Sequence, residues 1–347
     1  MARKPRVLVI GTGGTMGAKL VDGIWKYGEI TMETLVNSTP RVKEHFEVST
    51  TNLFRMDSAD MKPDNWLTLA NTIYYAMNDY DGIVVTIGSD TAAYAATAVS
   101  FLIQELNIPV VFTSALMHPE QLNTDAEVNL RDAITVAGRA DIAETLIVFN
   151  GKIMRATRTK KVNASELGGF GSFETSYPLG DIQQFISLNT PYRKRSRSKP
   201  KLYNKLETDV ATVKVYPGFD GNRIKNLVDY PVKGMVLEGF GLGNIPVLDN
   251  GMKEAIAYAN SKNAAVVIAS NCYLGKHWQR IYEAEIGNRL RGLRAIPVYD
   301  MLPETAYVKL MWVLAQTTDY KKVKSMMQKS YAGEITPFSK NKIDTMK

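Results

Sequence analysis

The stretch VLVIGTGGT, from Val7 to Thr15, decides the fold. Its first four residues are all apolar, which predicts a strand buried on both faces, and the glycines that follow end that strand. The same alternation of apolar strand and amphipathic helix recurs through the first half of the chain. The predicted strands are 7–10, 82–86, 109–113 and 146–149, and the predicted helices are 63–80, 92–105 and 125–137. This order indicates an open parallel sheet covered by helices on each side.

A second, shorter series of strands and helices follows residue 209. Its predicted strands are 211–215, 234–238 and 264–269, and its predicted helices lie near 250–260, 281–293, 304–315 and 320–329. The stretch between the two series carries prolines and clustered basic residues with no apolar period, which is typical of an exposed linker. We therefore predict an α/β protein. Its parts are a larger N-terminal parallel-sheet domain carrying the catalytic residues (1–188), a basic linker (189–209), a smaller C-terminal α/β domain (210–330) and a tail (331–347).

The composition excludes several classes of protein. At 347 residues the chain is longer than one hydrophobic core usually supports, and 45% hydrophobic with 22% charged residues is ordinary globular content. The single cysteine, Cys272, cannot form an internal disulfide or a cysteine-based zinc site, and three histidines argue against a histidine-rich metal site. The low cysteine content favours a reducing cytoplasm. No apolar run reaches the roughly 18–20 residues of a membrane span, so we expect a soluble cytoplasmic protein.

The formal net charge of +7 comes from one segment. Residues 193–205 contain seven basic side chains and no acidic one, which equals the whole excess. Clustered Lys and Arg give salt-dependent affinity for polyanions, so a contact with tRNA or phosphate is one interpretation. The segment lacks a recognisable nucleic-acid-binding fold and has only Tyr192 and Tyr203 nearby as aromatics, which favours a solvated loop. Pairing with acidic residues of a partner subunit is equally compatible.

Polar residues follow the predicted strands at the edge where an open parallel sheet binds its ligands. They lie in four segments: 11–17, 57–60, 88–91 and 158–163. A threonine hydroxyl is a poor nucleophile unless a neighbouring base takes its proton, and a lysine beside an aspartate and a second hydroxyl can relay that proton. Backbone amides of the glycine loop can stabilise the developing oxyanion. The set therefore favours nucleophilic acyl transfer without histidine.

Each segment also has a purely structural interpretation. The glycine loop resembles a dinucleotide fingerprint, but G-x-G-x-x-G starting at Gly11 needs glycine at the position of Met16. Ser89 and Asp90 can be an N-cap pair for the following helix. A pair of adjacent lysines, by itself, is most often solvated charge. The segments favour a site when they are taken together.

These motifs resemble the bacterial-type L-asparaginase family, most closely its cytoplasmic and archaeal branch. Thr12-Gly13-Gly14-Thr15 is similar to the family's T-G-G-T-I signature, and Ile87-Gly88-Ser89-Asp90-Thr91 is similar to H-G-T-D-T. Asp57-Ser58-Ala59-Asp60-Met61 resembles the segment that binds the substrate's α-carboxylate, and Arg158-Thr159-Lys160-Lys161 resembles the stretch with the catalytic lysine. The resemblance covers nearly the whole chain, with residues 239–244 and 287–316 matching the second domain.

The resemblance implies hydrolysis of L-asparagine to L-aspartate and ammonia through an acyl-enzyme intermediate, with no metal or organic cofactor. It assigns the nucleophile to Thr15 and the proton-handling groups to Ser89, Asp90 and Lys161. Ser58 and, less firmly, Asp57 would bind the substrate, and Tyr27 is the nearest counterpart of the family's flexible-loop tyrosine, with Trp25 at about the expected position. The family forms homodimers or homotetramers in which one subunit completes another's site, and Asn244 and Glu285 are candidates for that contribution.

Departures from the family pattern keep other functions open. Ser89 stands where the family has threonine, Ile87 replaces a histidine, and Ala59 replaces a residue that is polar in many members. One alternative is the ammonia-supplying subunit of a tRNA-dependent amidotransferase. Such subunits carry an extra domain before the T-G-G-T segment, whereas eleven residues precede Thr12 here. Another alternative is a catalytically silent amino-acid-binding protein. The choice between asparagine and glutamine stays open, because one methylene changes binding by only about 1–3 kcal/mol.

Overall fold

The apolar stretch that opens the sequence forms the inner part of strand β1 (Arg6–Gly13), where Val7, Val9 and Ile10 are completely buried. The computed structural model describes residues 3–173, 178–189, 191–230, 232–248, 250–274 and 290–336. The chain divides into two compact units, Met1–Asn204 and Lys205–Lys347, and we describe each by itself.

Unit 1 holds the long series of strands and helices. Its further strands are β2 (Ala18–Val21), β3 (Ile24–Tyr27), β4 (Glu47–Met56), β5 (Gly82–Thr86), β6 (Ile103–Gln104), β7 (Val110–Thr113), β8 (Thr145–Phe149), β9 (Lys152–Arg155), β10 (Thr159–Lys161), β11 (Phe170–Ser172), β12 (Gly180–Ile182), β13 (Ile186–Leu188) and β14 (Lys201–Leu202). Its helices are α1 (Met32–Ser38), α2 (Val42–His45), α3 (Pro63–Ala76), α4 (Ala92–Leu102) and α5 (Ala126–Arg139).

The central sheet of unit 1 is mixed rather than wholly parallel. Its eight strands have the order β13-β12-β9-β8-β7-β5-β1-β4, and β4, β1, β5, β7 and β8 are parallel. Of these five, β1, β5, β7 and β8 were predicted from the sequence and β4 was not. Strands β9, β12 and β13 are antiparallel, which the prediction of a parallel sheet missed. The reversal begins at Asn150 and Gly151, which both have positive φ (47° and 68°). Two such residues form a tight hairpin turn, so β9 returns directly beside β8.

The segment predicted as an exposed linker is bound along unit 1. Strand β14 pairs antiparallel with β6, and the Lys201 Nζ lies 2.8 Å from Glu105. Arg195 donates hydrogen bonds to the main-chain carbonyls of Ala137 and Ala140, both at 2.7 Å, and to that of Asp81. The Arg195 guanidinium is therefore not solvated charge, although most of its neighbours are exposed. Because Ile103 and Gln104 join this small sheet, helix α4 ends earlier than the predicted residue 105.

Unit 2 contains a smaller, fully parallel sheet with the strand order β15-β16-β17-β18. The strands are β15 (Val210–Lys214), β16 (Gly234–Gly239), β17 (Ala265–Ser270) and β18 (Ala295–Pro297). The helices are α6 (Asn222–Asp229), α7 (Met252–Ser261), α8 (Pro303–Gln316) and α9 (Tyr320–Gln328). Most of the predicted helix 281–293 lies outside the described residues. The predicted α/β class, with a larger first part and a smaller second part, is confirmed.

A completely buried ion pair links α8 to the segment that follows α9. The Lys309 Nζ donates to Glu334 at 2.6 Å and to the carbonyls of Met327 and Lys329 at 3.0 and 2.6 Å. Glu334 also accepts hydrogen bonds from the backbone amides of Tyr331 and Ala332. Burial alone would raise the pKa of the Glu334 carboxyl, but the Lys309 charge and these hydrogen bonds hold the pKa below its usual range. The Lys309 pKa is itself lowered by burial, against which the Glu334 charge and hydrogen bond act.

Within the part of the chain that the structure describes, no helix combines the length and the apolar character needed to cross a bilayer.

Candidate active site

The glycine loop after β1 adopts a conformation that only glycine tolerates. Gly13 and Gly14 have φ values of 95° and 65°, and ψ of Gly14 is −168°. A Cβ on Gly14 would lie 2.3 Å from the backbone nitrogen of Gly88, so the two loops touch main chain to main chain. Thr15 follows in a single 3₁₀ turn (Thr15–Gly17) and is half-buried. The loop therefore presents Thr15 beside the loop that follows β5.

This conformation also decides against a dinucleotide fingerprint. In such a motif a helix follows the glycines directly, whereas here the 3₁₀ turn leads into the β2–β3 hairpin, and α1 begins only at Met32. The hydroxyl of Thr12 donates to the Thr86 carbonyl at 2.9 Å and is buried between strands. Of the two threonines in the loop, Thr15 is the one left partly accessible.

The segments after β4 and β5 are in direct contact. A Cβ on Gly88 would lie 2.5 Å from the Ser58 Oγ, and the Thr91 hydroxyl donates to the Ser58 carbonyl at 2.8 Å. Ser58 and Ser89 are both buried, whereas Asp90 is exposed. Ser58 thus lies against the loop after β5, which carries Gly88 and Ser89.

Lys161 connects β10 to these residues. Its Nζ lies 2.8 Å from the Ser89 Oγ and 2.7 Å from the Asp90 Oδ1. The lysine side chain is 21% exposed, whereas that of Asp90 is 62% exposed, so the ammonium group is the shielded partner. Helix α4 begins at Ala92 with Thr91 at its N-cap, and no side chain forms the cap hydrogen bond. Ser89 and Asp90 are therefore oriented toward Lys161 and do not cap the helix.

Tyr27 and Asp57 meet on another side of the glycine loop. A hydrogen bond to Asp57, then burial, then the charges of Asp57, Asp90 and Asp60 raise the pKa of Tyr27 to about 12. Asp57 also accepts a hydrogen bond from the Ala59 amide at 3.0 Å and is half-buried. The sequence-predicted residues thus lie on the ends of β3 and β10 and on adjoining segments of unit 1: Thr15, Asp57, Ser58, Ser89, Asp90, Lys161 and Tyr27.

His118 was not assigned a role from the sequence, whereas Trp25 was named at about the position expected for the flexible-loop tyrosine. The rings of Trp25 and His118 are stacked, with centroids 3.3 Å apart and planes at 6°. Burial lowers the pKa of His118, while a hydrogen bond with the backbone of Thr15 acts in the opposite direction. His118 lies in the loop after β7, a strand end at which no site residue was predicted. The sequence could have pointed to His118 in one way: its loop follows a parallel strand, at the carboxyl edge of the sheet where ligands bind.

Asn244 belongs to unit 2, and Glu285 lies outside the described residues. The backbone of Asn244 pairs with that of Phe240, with both N–O distances at 2.7 Å. The Asn244 Oδ1 is buried and has no hydrogen-bond partner among the described residues. A contribution of either residue to a neighbouring subunit stays a prediction.

The described residues offer no obvious metal site near this loop cluster. No group of three or more His, Cys, Asp or Glu side chains within the described ranges is arranged to hold a metal ion. The polar groups that meet at the loops are hydroxyls, carboxylates and one lysine.

Two family descriptions match the chain over most of its length. Asparaginase, N-terminal, matches residues 6–193, and Glutaminase/Asparaginase C-terminal domain matches residues 209–327. The chain therefore belongs to the asparaginase family of amidohydrolases, and the resemblance predicted from its T-G-G-T and G-S-D-T segments is confirmed.

The chain is similar to two kinds of protein. A subunit of the glutamyl-tRNA(Gln) amidotransferase of Pyrococcus abyssi is 37% identical over 350 residues, a match that covers 97% of this chain and 78% of the relative. The L-asparaginase of Thermococcus kodakarensis is 31% identical over 334 residues, covering 95% of this chain and 99% of the relative.

Solved structures show the same fold. The thermostable L-asparaginase from Thermococcus kodakarensis superposes with a TM-score of 0.87 at 28% identity, covering 96% of this chain and all of that one. L-asparaginase I from Vibrio cholerae gives a TM-score of 0.84 at 30% identity with the same coverage.

Proposed function

We propose that this protein hydrolyses the side-chain amide of L-asparagine to L-aspartate and ammonia, with Thr15 as nucleophile. The observation that carries the proposal is the bonding of the Lys161 Nζ to both Ser89 and Asp90, at 2.8 and 2.7 Å, on the loop that touches Gly14. A threonine hydroxyl needs a proton acceptor and a relay, and this trio lies one loop away from it. Membership of an amidohydrolase family fits this chemistry.

The reaction would proceed in two balanced steps. The Thr15 Oγ attacks the amide carbon, the hydroxyl proton passes through the Ser89–Lys161–Asp90 group to the leaving nitrogen, and ammonia departs from an acyl-threonine ester. A water molecule then attacks the ester, returns a proton to the Thr15 Oγ and releases the carboxylic acid. Main-chain amides of the glycine loop would stabilise the oxyanion of each tetrahedral intermediate, since glycine leaves such amides accessible.

The proposed substrate contacts come from the loop after β4. The Ser58 hydroxyl would donate to the α-carboxylate of the amino acid, and the Asp57 carboxylate would attract its α-ammonium group. Tyr27 lies against Asp57 and would close the pocket on that side. Ser58 lies close to the loop of Ser89, because Gly88 has no side chain at the point of contact. L-glutamine is the other amide that these contacts would accept.

A second function is favoured by the sequence relatives. The 37% identity to an amidotransferase subunit over 97% of this chain exceeds the identity to the L-asparaginase. In that role the same threonine chemistry would release ammonia for transfer to a charged tRNA, and activity would depend on a second subunit. The loop geometry is common to both functions, so the distinction rests on partner dependence.

Ammonia release by the pure protein tests the first proposal. With L-asparagine, the wild-type protein should release ammonia well above a Thr15→Ala variant. Lys161→Met should lower kcat by about 10²–10⁴-fold, the usual range for a proton-transfer group. Lys152→Met, which changes an exposed lysine on β9, is the matched control and should leave kcat unchanged. Equal release by wild type and Thr15→Ala would contradict the proposal.

The same assay separates the two functions. L-glutamine is tested in parallel, with and without an amidotransferase partner subunit and glutamyl-tRNA. Ammonia release from asparagine by the isolated chain supports the asparaginase. Release that requires both additions supports the amidotransferase role. Binding of asparagine in a calorimeter without turnover under either condition would indicate a silent binding protein. Sedimentation of the same sample tests the proposed homodimer or homotetramer.

A further inference from the structure

The side chain of Thr91 joins two of the segments that make up the candidate active site. Its hydroxyl donates a hydrogen bond of 2.8 Å to the main-chain carbonyl of Ser58. Thr91 directly follows Ser89 and Asp90 on the loop after β5, whereas Ser58 begins the 3₁₀ turn after β4 (Ser58–Asp60). The two residues are 33 positions apart in the sequence, so this bond is a tertiary link between the two segments.

The hydroxyl of Thr91 does not have the role that is usual for its position. Thr91 is the N-cap of helix α4 (Ala92–Leu102), where a threonine side chain ordinarily accepts a hydrogen bond from a backbone amide of the first turn. No such cap bond to Thr91 is present among the described residues. Its φ of −115° and ψ of 9° also differ from the extended backbone that usually accompanies a side-chain cap. The hydroxyl therefore serves the segment after β4 and not its own helix.

The Ser58 turn has hydrogen bonds of its own. The Ser58 carbonyl also accepts a hydrogen bond from the amide of Met61, at 3.1 Å. The carbonyl of Asp57 accepts one from the amide of Asp60, also at 3.1 Å. Because these bonds lie within the turn, the turn can form without Thr91. The Thr91 bond determines where the turn lies relative to the loop after β5.

A second contact fixes the other end of Ser58. A Cβ on Gly88 would lie 2.5 Å from the Oγ and 2.7 Å from the Cβ of Ser58, so the Ser58 side chain rests on the main chain of the loop after β5. The loop after β1 is attached to the same segment, since the amide of Gly14 donates to the carbonyl of Met56 at 2.9 Å. The position of Ser58 is therefore set relative to both of the loops that carry the proposed reacting groups.

We propose that Thr91 is a positioning residue that sets the distance between the part of the site that binds the amino-acid end of the substrate and the part that reacts with its side-chain amide. The inference rests on the proposed function, in which Ser58 binds the α-carboxylate and Thr15 attacks the amide. Asparagine and glutamine differ by one methylene in this distance, and one methylene can change kcat/KM by roughly 10- to 200-fold. A Ser58 turn that is held in one place favours one of the two lengths, whereas a looser turn accepts both.

Two substitutions separate the hydroxyl of Thr91 from its shape. Thr91→Val keeps the branched shape but has no donor, and Thr91→Ser keeps the donor but loses the methyl group. Thr68→Val is the matched control, because the exposed Thr68 hydroxyl donates to the Asp64 carbonyl of its own helix at 3.0 Å. Urea unfolding checks that each variant is folded, and Thr91→Ala, which also lacks the donor, takes the place of a Thr91→Val protein that is not.

Three quantities are measured for each variant. The first is kcat and KM with L-asparagine and with L-glutamine, and the second is the Kd of L-aspartate by calorimetry. The third is hydrogen exchange of the amides of residues 57–61, read by mass spectrometry. Binding and exchange need no turnover, so they report on Thr91 independently of the proposed reaction.

The donor, and not the shape, should decide the results. Thr91→Val should raise KM for the preferred amide and the Kd of L-aspartate about 2- to 10-fold, the range for one lost hydrogen bond, with kcat within about 3-fold of wild type. The ratio of kcat/KM for the two amides should move toward one, and exchange of the 57–61 amides should become about 2- to 10-fold faster. Thr91→Ser should stay close to wild type, and Thr68→Val should change none of these quantities.

Three results would overturn the proposal. If Thr91→Val matches wild type in KM, amide ratio and exchange, the bond positions nothing. If Thr91→Ser is impaired as much as Thr91→Val, the methyl group acts through packing, which is a merely structural role. If kcat falls while KM and the amide ratio stay unchanged, Thr91 acts on the reacting groups and not on Ser58.

Failure of the proposed function gives a different result. In that case the wild-type protein releases no ammonia from either amide. The role of Thr91 is then decided by aspartate binding and exchange: weaker binding and faster exchange in Thr91→Val, both restored in Thr91→Ser, would support it. Equal values in the two variants, or no aspartate binding by the wild-type protein, would overturn it.

Discussion

Gly14→Ala is the substitution that the geometry predicts most sharply. The new Cβ would lie 2.3 Å from the Gly88 nitrogen and 2.4 Å from its Cα, more than 1 Å inside an ordinary contact of about 3.5 Å. The new Cβ is fixed to one backbone and meets another, so no side chain can move aside to remove the clash. The Thr15 loop and the Ser89 loop would have to separate by about 1 Å. A displacement of that size costs about 100-fold in rate. The φ of 65° with ψ of −168° adds about 1–3 kcal/mol of backbone strain.

The assay compares kcat for asparagine with urea unfolding of the same variant. Gly17→Ala is the matched control on the same turn, because its Cβ would meet nothing closer than 3.5 Å and Gly17 lies within a 3₁₀ turn. We expect Gly17→Ala to keep kcat within about 3-fold of wild type. A folded Gly14→Ala protein that keeps more than half of the wild-type kcat would refute the inference that close approach of these loops positions Thr15.

The remaining predictions concern stability and pH. Lys309→Met should lower the free energy of unfolding by about 3–5 kcal/mol, because it leaves the Glu334 carboxylate buried without its partner. Tryptophan fluorescence during urea unfolding measures this change. The lowered pKa of Glu334 means that the pair stabilises the protein above the ordinary value of 4.5 and that this stability is lost as pH falls. The difference in free energy of unfolding between wild type and Lys309→Met should therefore become smaller at acid pH. A difference that stays constant with pH would contradict this. Tyr27→Phe should reduce kcat/KM by the same factor from pH 7 to pH 10. With its pKa raised to about 12, the Tyr27 phenol keeps its proton and its bond to Asp57 over this pH range. A reduction of kcat/KM that changes with pH would contradict this reasoning.

Much of the fold could be predicted from the pattern of apolar residues in the sequence. The parallel core strands, such as Gly82–Thr86, are apolar at every position and bounded by turn residues, so their location and type were predictable. Strand β4 (Glu47–Met56) was missed, because its position at the sheet edge leaves alternate side chains exposed and polar. The antiparallel strands β12 and β13 are three residues each, too short for a periodic signal. Their direction depends on pairing with β9, which is a tertiary effect.

The parts of the candidate site that come directly after predicted strands could be predicted from the sequence. The segments around Ser89 and Lys161 were identified, and the structure brings them together through the Nζ contacts. The stack of Trp25 on His118 joins residues 93 positions apart, and neither position has a local pattern that points to the other. A contact of this kind depends on how a hairpin folds over a loop, which composition and spacing do not encode.

The three carbonyl contacts of Arg195 determine where the first half of this protein can be joined to another chain. The family match to the N-terminal region ends at residue 193, but hydrogen bonds to Asp81, Ala137 and Ala140 and the pairing of Lys201–Leu202 all come later. A chimaera spliced at residue 193 would remove them all and leave the N-terminal end of β5 and the C-terminal end of α5 uncovered. Splicing between Asn204 and Val210 keeps them, so the basic segment stays with unit 1, whose main-chain carbonyls it binds.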